Sequence, residues 1–143
     1  MKTSRLTIVL RSALGLIFVA GPLASAMRLA PEPQLPPGAA AFTGALAATG
    51  YMLPLLWSAE IAGGVLLLTG LLVPFALVLL APVIVNIVAF HLFLAPSAMP
   101  TAIVVSVLEI YMAWQYRAAF GPLFRTAAAQ PAAETGKFRV QAA

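Results

Sequence analysis

Apolar residues run along this chain in four long blocks, separated by short segments richer in proline, glycine and alanine. A helix that crosses a bilayer needs about 20 predominantly apolar residues, and each block is of that order. The first runs from Leu6 to Ala26 and is interrupted early by Arg11. The second, YMLPLLWSAEIAGGVLLLTGLLV, covers Tyr51 to Val73 and carries a single charged residue, Glu60. The third begins at Pro74, reads PFALVLLAPVIVNIVAFHLFLA and ends at Ala95. The fourth covers Thr101 to Phe120, with Glu109 inside it. The pattern predicts an all-α membrane protein, a bundle of four transmembrane helices.

Prolines punctuate these blocks. Pro54, Pro74 and Pro100 fall at or near the predicted helix starts, where a missing N–H costs nothing. Pro82 sits about two turns inside the third block, where it frees the carbonyl of Val78 and is expected to bend the helix. Between the first two blocks, Pro31, Pro33, Pro36 and Pro37 make a stiff stretch kept wet by Glu32 and Gln34. Ala39 to Thr49 then reads as a short alanine-rich helix closed by Gly50. About a dozen helical residues rise only about 18 Å, too short to span. Phe42 and Leu46 share one face of it, as expected of a short interfacial helix over the outer mouth of the bundle.

Composition strengthens the membrane reading: 62% of the residues are hydrophobic and 8% charged, too few charges to face water. Charge then adds orientation. Of the eight Lys and Arg residues, seven flank the chain ends (Lys2, Arg5, Arg11, Arg117, Arg125, Lys137, Arg139) and only Arg28 falls in a connection on the other side. The positive-inside rule puts both termini in the cytoplasm of a bacterial inner membrane. The same placement speaks against nucleic acid as a partner and for membrane lipids. Residues 1–125 read as one membrane domain and 126–143 as a disordered cytoplasmic tail. The start, MKTSRLTIVLRSALGLIFVAGPLASA, also has the form of a secretory signal with Ala24-Ser25-Ala26 as a cleavage site. Arg11 splits its apolar region, and cleavage would leave three spans, so retention is the expectation. With no cysteine in the chain, thiolate metal sites and iron–sulfur clusters are ruled out for this polypeptide. No metal-ligand spacing, catalytic triad or phosphate loop is present, so no catalytic residue is assigned and any enzymatic role falls to a larger complex.

Candidate chemistry rests on the polar groups inside the blocks. A charged side chain at mid-bilayer costs at least about 2.5–3.5 kcal/mol, so such groups face the bundle or find partners. At about 1.5 Å per residue, Glu60 and Glu109 lie about 13 Å, and Asn86 about 12 Å, from the external ends of their helices. His91 lies about 5 Å below the outer surface. One polar layer from three helices is therefore expected, with Pro82 opening space towards His91. Two carboxylates in low dielectric cannot both ionise comfortably, so the layer suits hydrogen bonding to a polar headgroup with proton exchange outwards. Gly64, on the Glu60 face, would leave space beside that carboxyl. Trp57 and Tyr111 are deep enough to line a pocket for a ring, although packing accounts for all three as well. Trp114 and Tyr116, beside Arg117, read as an interface belt. Interhelical hydrogen bonding is the plainer role for the whole layer.

These segments together are similar to a known pattern. QLPPGAAAFTGALAATGYMLPLLWSAEIAGGVLLLTG, VPFALVLLAPVIVNIVAFHLFLAP and IYMAWQYRAAFGPLF occur in order and resemble the DoxX family of small bacterial four-helix membrane proteins. The resemblance implies a retained four-helix bundle whose polar positions include Glu60, Asn86 and His91. The family takes its name from a membrane subunit of a thiosulfate:quinone oxidoreductase, and other members are linked to membrane redox and thiol-stress systems. Sulfur chemistry does not carry over to a chain without cysteine, whereas quinone interaction does. The leading expectation is an accessory subunit that binds a quinone or lipid-like molecule near the outer leaflet, working with other membrane or redox subunits or with itself. A structural or assembly partner of another membrane complex and a small oligomeric transporter are the alternatives.

Overall fold

The computed structural model describes residues 4–29 and 34–124. The expected tail, 126–143, and part of the proline-rich stretch, 31–33, lie outside the described residues. Helix α1 (Arg5–Ala26) opens at Ser4, whose hydroxyl accepts the Thr7 N–H at 3.1 Å and so satisfies one of the free donors of the first turn. The short helix α2 (Pro37–Ala48) starts on Pro37, at a position that needs no N–H. It is followed by α3 (Met52–Thr69), α4 (Val73–Phe93), a 3₁₀ turn at Pro96–Ala98, α5 (Met99–Gln115) and a single turn, α6 (Arg117–Phe120). Among the described residues there is no strand. Four helices are long and apolar enough to cross a membrane, α1, α3, α4 and the 3₁₀–α5 segment, and the molecule is a four-transmembrane-helix bundle.

The four spans form a closed ring. α1 packs against α3 and α5, and α4 packs against α3 and α5, so α3 and α5 face each other only diagonally. One end of the ring, the terminal end, gathers the start of α1, the α3–α4 turn and the end of α5. The opposite end, the α2 end, carries α2 and the α4–α5 connection. The tightest join is α1 on α3. A methyl group on Gly64 would lie 2.8 Å from the carbonyl oxygen of Gly15, and one on Gly15 would lie 2.8 Å from the carbonyl oxygen of Gly64. Without side chains at these two positions the backbones touch directly, the mode of close approach small residues permit in membranes.

The turn between α3 and α4 differs from the sequence pattern, which carries the second span to Val73 and starts the third at Pro74. Gly70 ends α3 in the left-handed conformation (φ 76°), its N–H on the Leu66 carbonyl at 3.0 Å. Leu72, also left-handed at φ 48°, leads into α4 with Pro74 in its first turn. Gly70, Leu71 and Leu72 are as apolar as the helices they join, so hydropathy alone does not register the reversal. The fourth span likewise starts earlier, at Met99, and stops at Gln115, where Tyr116 leaves helical geometry before α6.

Burial is uneven along the axis. The core of Leu14 and Phe18 (α1), Leu67 (α3), Leu77 and Leu80 (α4) and Met112 (α5) fills the bundle. On α3 no residue before Gly63 is fully buried, and on α4 none after Ile84. The two helices are thus closely joined in their terminal halves and loosely joined towards the α2 end. Pro82 stands at this change, since it supplies no N–H to Val78 and weakens the helix ladder there.

Candidate functional site

Where α3 and α4 are loosely joined, they enclose a cavity of about 180 Å³. Leu53, Leu56 and Glu60 of α3 form one wall; Val83, Asn86, Ile87, Phe90 and His91 of α4 form the other. α2 roofs it with Phe42, Thr43 and Leu46. The Thr43 hydroxyl donates to the carbonyls of Ala39 (3.0 Å) and Ala40 (3.2 Å), so it is satisfied within its own helix and leaves the roof largely apolar. α2 is held at its start, where Ala39 is fully buried and Gly38 lies alongside Leu94. It is also held through Phe42, whose ring sits 5.8 Å from that of Phe90.

Three polar side chains converge in these apolar walls. Glu60 is half-buried midway along α3. His91 approaches the carbonyl of Ile87, one turn back, with Nδ1 at 2.7 Å. Only an N–H can make that bond to a carbonyl, so Nδ1 donates, and in the tautomer that leaves Nε2 unprotonated that nitrogen is an acceptor. The Phe90 ring meets the imidazole edge-on, centroids 5.4 Å apart, and fixes its plane. Asn86, one helical turn from Phe90, is exposed at the cavity's edge and offers a donor and an acceptor. A few convergent polar groups in an apolar cleft are the usual composition of a small-molecule site. An apolar cavity of about 150 Å³ admits benzene, so this one has room for a single six-membered ring.

The other residues singled out by the sequence lie elsewhere. Glu109 does not line the cavity. It belongs to α5, diagonal to α3, and is 8% exposed, with no hydrogen-bond partner for Oε2 among the described residues. Shared depth placed it in one layer with Glu60 and Asn86, but depth carries no information about facing. Gly64 lies against Gly15 of α1 rather than beside Glu60. Trp57 is half-buried on α3 and is absent from the cavity wall. The Tyr111 hydroxyl is 3.5 Å from Thr7 Oγ1, which is itself 2.8 Å from Ser4 Oγ, at the terminal end. Pro82 faces outwards, into a second depression along α4. Conversely, Phe42, Phe90 and the α3 leucines of the wall carry no mark in sequence beyond the shared face of Phe42 and Leu46.

Arg11, which breaks the first span, has its guanidinium over the α3–α4 turn: a methyl group on Gly70 would meet Nη1 at 2.5 Å. A cation beside the free carbonyls of a helix C-terminus is favourably placed, although its buried Nε has no partner among the described residues. Among the described residues no group of three His, Cys, Asp or Glu side chains is placed to hold a metal ion. Comparison of the chain with protein-family models, with curated proteins and with solved structures finds no match.

Proposed function

We propose that this protein is an accessory subunit of the bacterial inner membrane that binds a quinone or a similar lipid-soluble molecule between α3 and α4. The convergence of Glu60, Asn86 and His91 in an otherwise apolar, ring-sized cavity under α2 carries this reading. A quinone presents carbonyl oxygens that Asn86 can donate to, and its reduced form presents hydroxyls that His91 Nε2 and Glu60 can accept. The resemblance to the DoxX family supports the same ligand class. The test is mass spectrometry of the lipophilic molecules that co-purify with the chain. Glu60→Gln preserves side-chain shape but turns one acceptor oxygen into a donor, and about a tenfold loss of retained ligand is expected, equivalent to about 1.4 kcal/mol. Retention at the wild-type level in both Glu60→Gln and Glu60→Leu would remove the proposal's basis.

An exposed asparagine on a membrane helix also suits a contact with another chain. For that reason an assembly role is the second reading. It requires Asn86→Leu to release a co-purifying protein while leaving bound lipophiles unchanged.

In this proposal both termini face the cytoplasm. Reporter fusions at the N-terminus, near Gly70 and at the C-terminus are expected to read cytoplasmic, and fusions near Gln34 and Ser97 periplasmic. A periplasmic signal from the C-terminus would refute this orientation.

A further inference from the structure

The cavity is not closed towards the lipid. A shallow trough of about 540 Å³ runs along the outer side of α4, and its walls share Phe42, Asn86 and Phe90 with the cavity. Its floor is a helical stripe of Val85, Ala89 and Phe93. Val85 and Phe93 are 68% and 77% exposed, and the small Ala89 between them makes the hollow. We infer that the trough seats the apolar chain of the ligand whose ring occupies the cavity, so that the ligand is a single-chain amphiphile with an uncharged head, admitted sideways from the membrane past Phe42 and Phe90.

This inference rests on the reading of the cavity given above and adds a ligand class and a route to it. Three observations support it. The two spaces adjoin, with the tilted Phe42–Phe90 pair in the walls of both. Asn86 lines both, at the seam where a polar head would give way to a chain, and a hydrogen-bonding group there meets the need of an amide otherwise set against hydrocarbon. Finally, among the described residues no Lys or Arg lines either space, while Glu60 lines the cavity. A phosphate head would be left without a counter-charge beside a carboxyl, which argues against phospholipids.

A pair of photoreactive probes tests this on the full chain in lipid nanodiscs. Both are benzoquinones with a ten-carbon chain; one carries a diazirine on the ring and the other at the end of the chain. The ring probe is expected to label the cavity walls. The chain probe is expected to label the α4 peptide spanning Val85 to Phe93 several-fold more than the lipid-facing sides of α1 and α5. Unlabelled quinone of the same chain length should compete with both, and Ala89→Trp, which fills the trough, should abolish the preference of the chain probe for α4. If the ring probe labels the cavity while the chain probe marks all lipid-facing helices alike, the trough is not the chain's seat and the cavity reading survives. If neither label is competed, the cavity reading itself falls. Cross-linking of the α4 stripe to a second protein chain in place of the probe would overturn the inference as well.

Discussion

Adding one methyl group at Gly64 is expected to cost the bundle about 1–3 kcal/mol, and a leucine there to prevent α1 and α3 from joining. The new Cβ would stand 2.8 Å from the Gly15 carbonyl oxygen and 3.1 Å from the Phe18 carbonyl carbon. Both are backbone atoms, so no side chain can rotate away and the helices must part. Gly15→Ala meets the reciprocal obstacle in the Gly64 carbonyl and should behave alike. Once either methyl has forced the helices apart, the second finds room. The double variant is therefore expected to lose less than the singles combined, with a coupling of about 0.5–3 kcal/mol. Gly21→Ala and Gly44→Ala are the controls, because a methyl at either position has no neighbour within 4 Å. Both lie inside helices, where alanine is favoured over glycine by about 0.5–1 kcal/mol. Thermal unfolding in a mild detergent, followed by helical circular dichroism, ranks all five variants. Equal melting of Gly64→Ala and Gly44→Ala would contradict the direct backbone contact.

The opposite sign is expected at Glu109. Its carboxyl is buried on α5 with Oε2 unpartnered among the described residues, and a buried polar atom left unsatisfied costs about 1–3 kcal/mol. Methionine has similar length and no such demand, so Glu109→Met is expected to raise stability by about that amount. Glu109→Gln keeps polar atoms in the same surroundings and should not. Glu60→Leu is expected to give a smaller change than Glu109→Met, because Glu60 is only half-buried and borders a cavity. The same unfolding measurement decides. A lower melting temperature for Glu109→Met would mean that the carboxyl has a partner in the native membrane, either a bound molecule or a second chain, in keeping with a functional role for Glu109.

The positions of the spans are legible in sequence because each is a block of apolar residues bounded by proline, glycine or charge. The short helix over the α2 end is legible for a related reason: Pro37 and Gly50 bracket a run of alanines too brief to cross a bilayer. Facing is another matter. Glu60 and Glu109 lie at comparable depths, yet one borders the α3–α4 cavity and the other is buried on the diagonal helix. Which helices become neighbours depends on the ring order, and an apolar block pattern does not encode that order. Gly64 shows the difficulty at one residue. Its place near Glu60 on the α3 surface suggests a gap beside the carboxyl, but the space is filled by the α1 backbone. Asn86 and His91 reach the same cavity as Glu60 because α3 and α4 are joined by a three-residue turn, which makes them adjacent by necessity. The aromatic rim escapes detection for the reverse reason, since Phe42 and Phe90 are far apart in sequence and nothing local pairs them.

That tight turn also bears on how the protein is made. Gly70, Leu71 and Leu72 give the α3–α4 pair no charged residue on which to anchor, and no Lys or Arg occurs anywhere from Leu29 to Tyr116. A nascent hairpin of this kind can enter the bilayer as a unit but has nothing of its own to say which way round it should stay. The cation that lies over its turn belongs to Arg11, in a helix that precedes the hairpin in the chain. By the positive-inside rule, the hairpin is therefore expected to take its direction from α1 as it closes onto it.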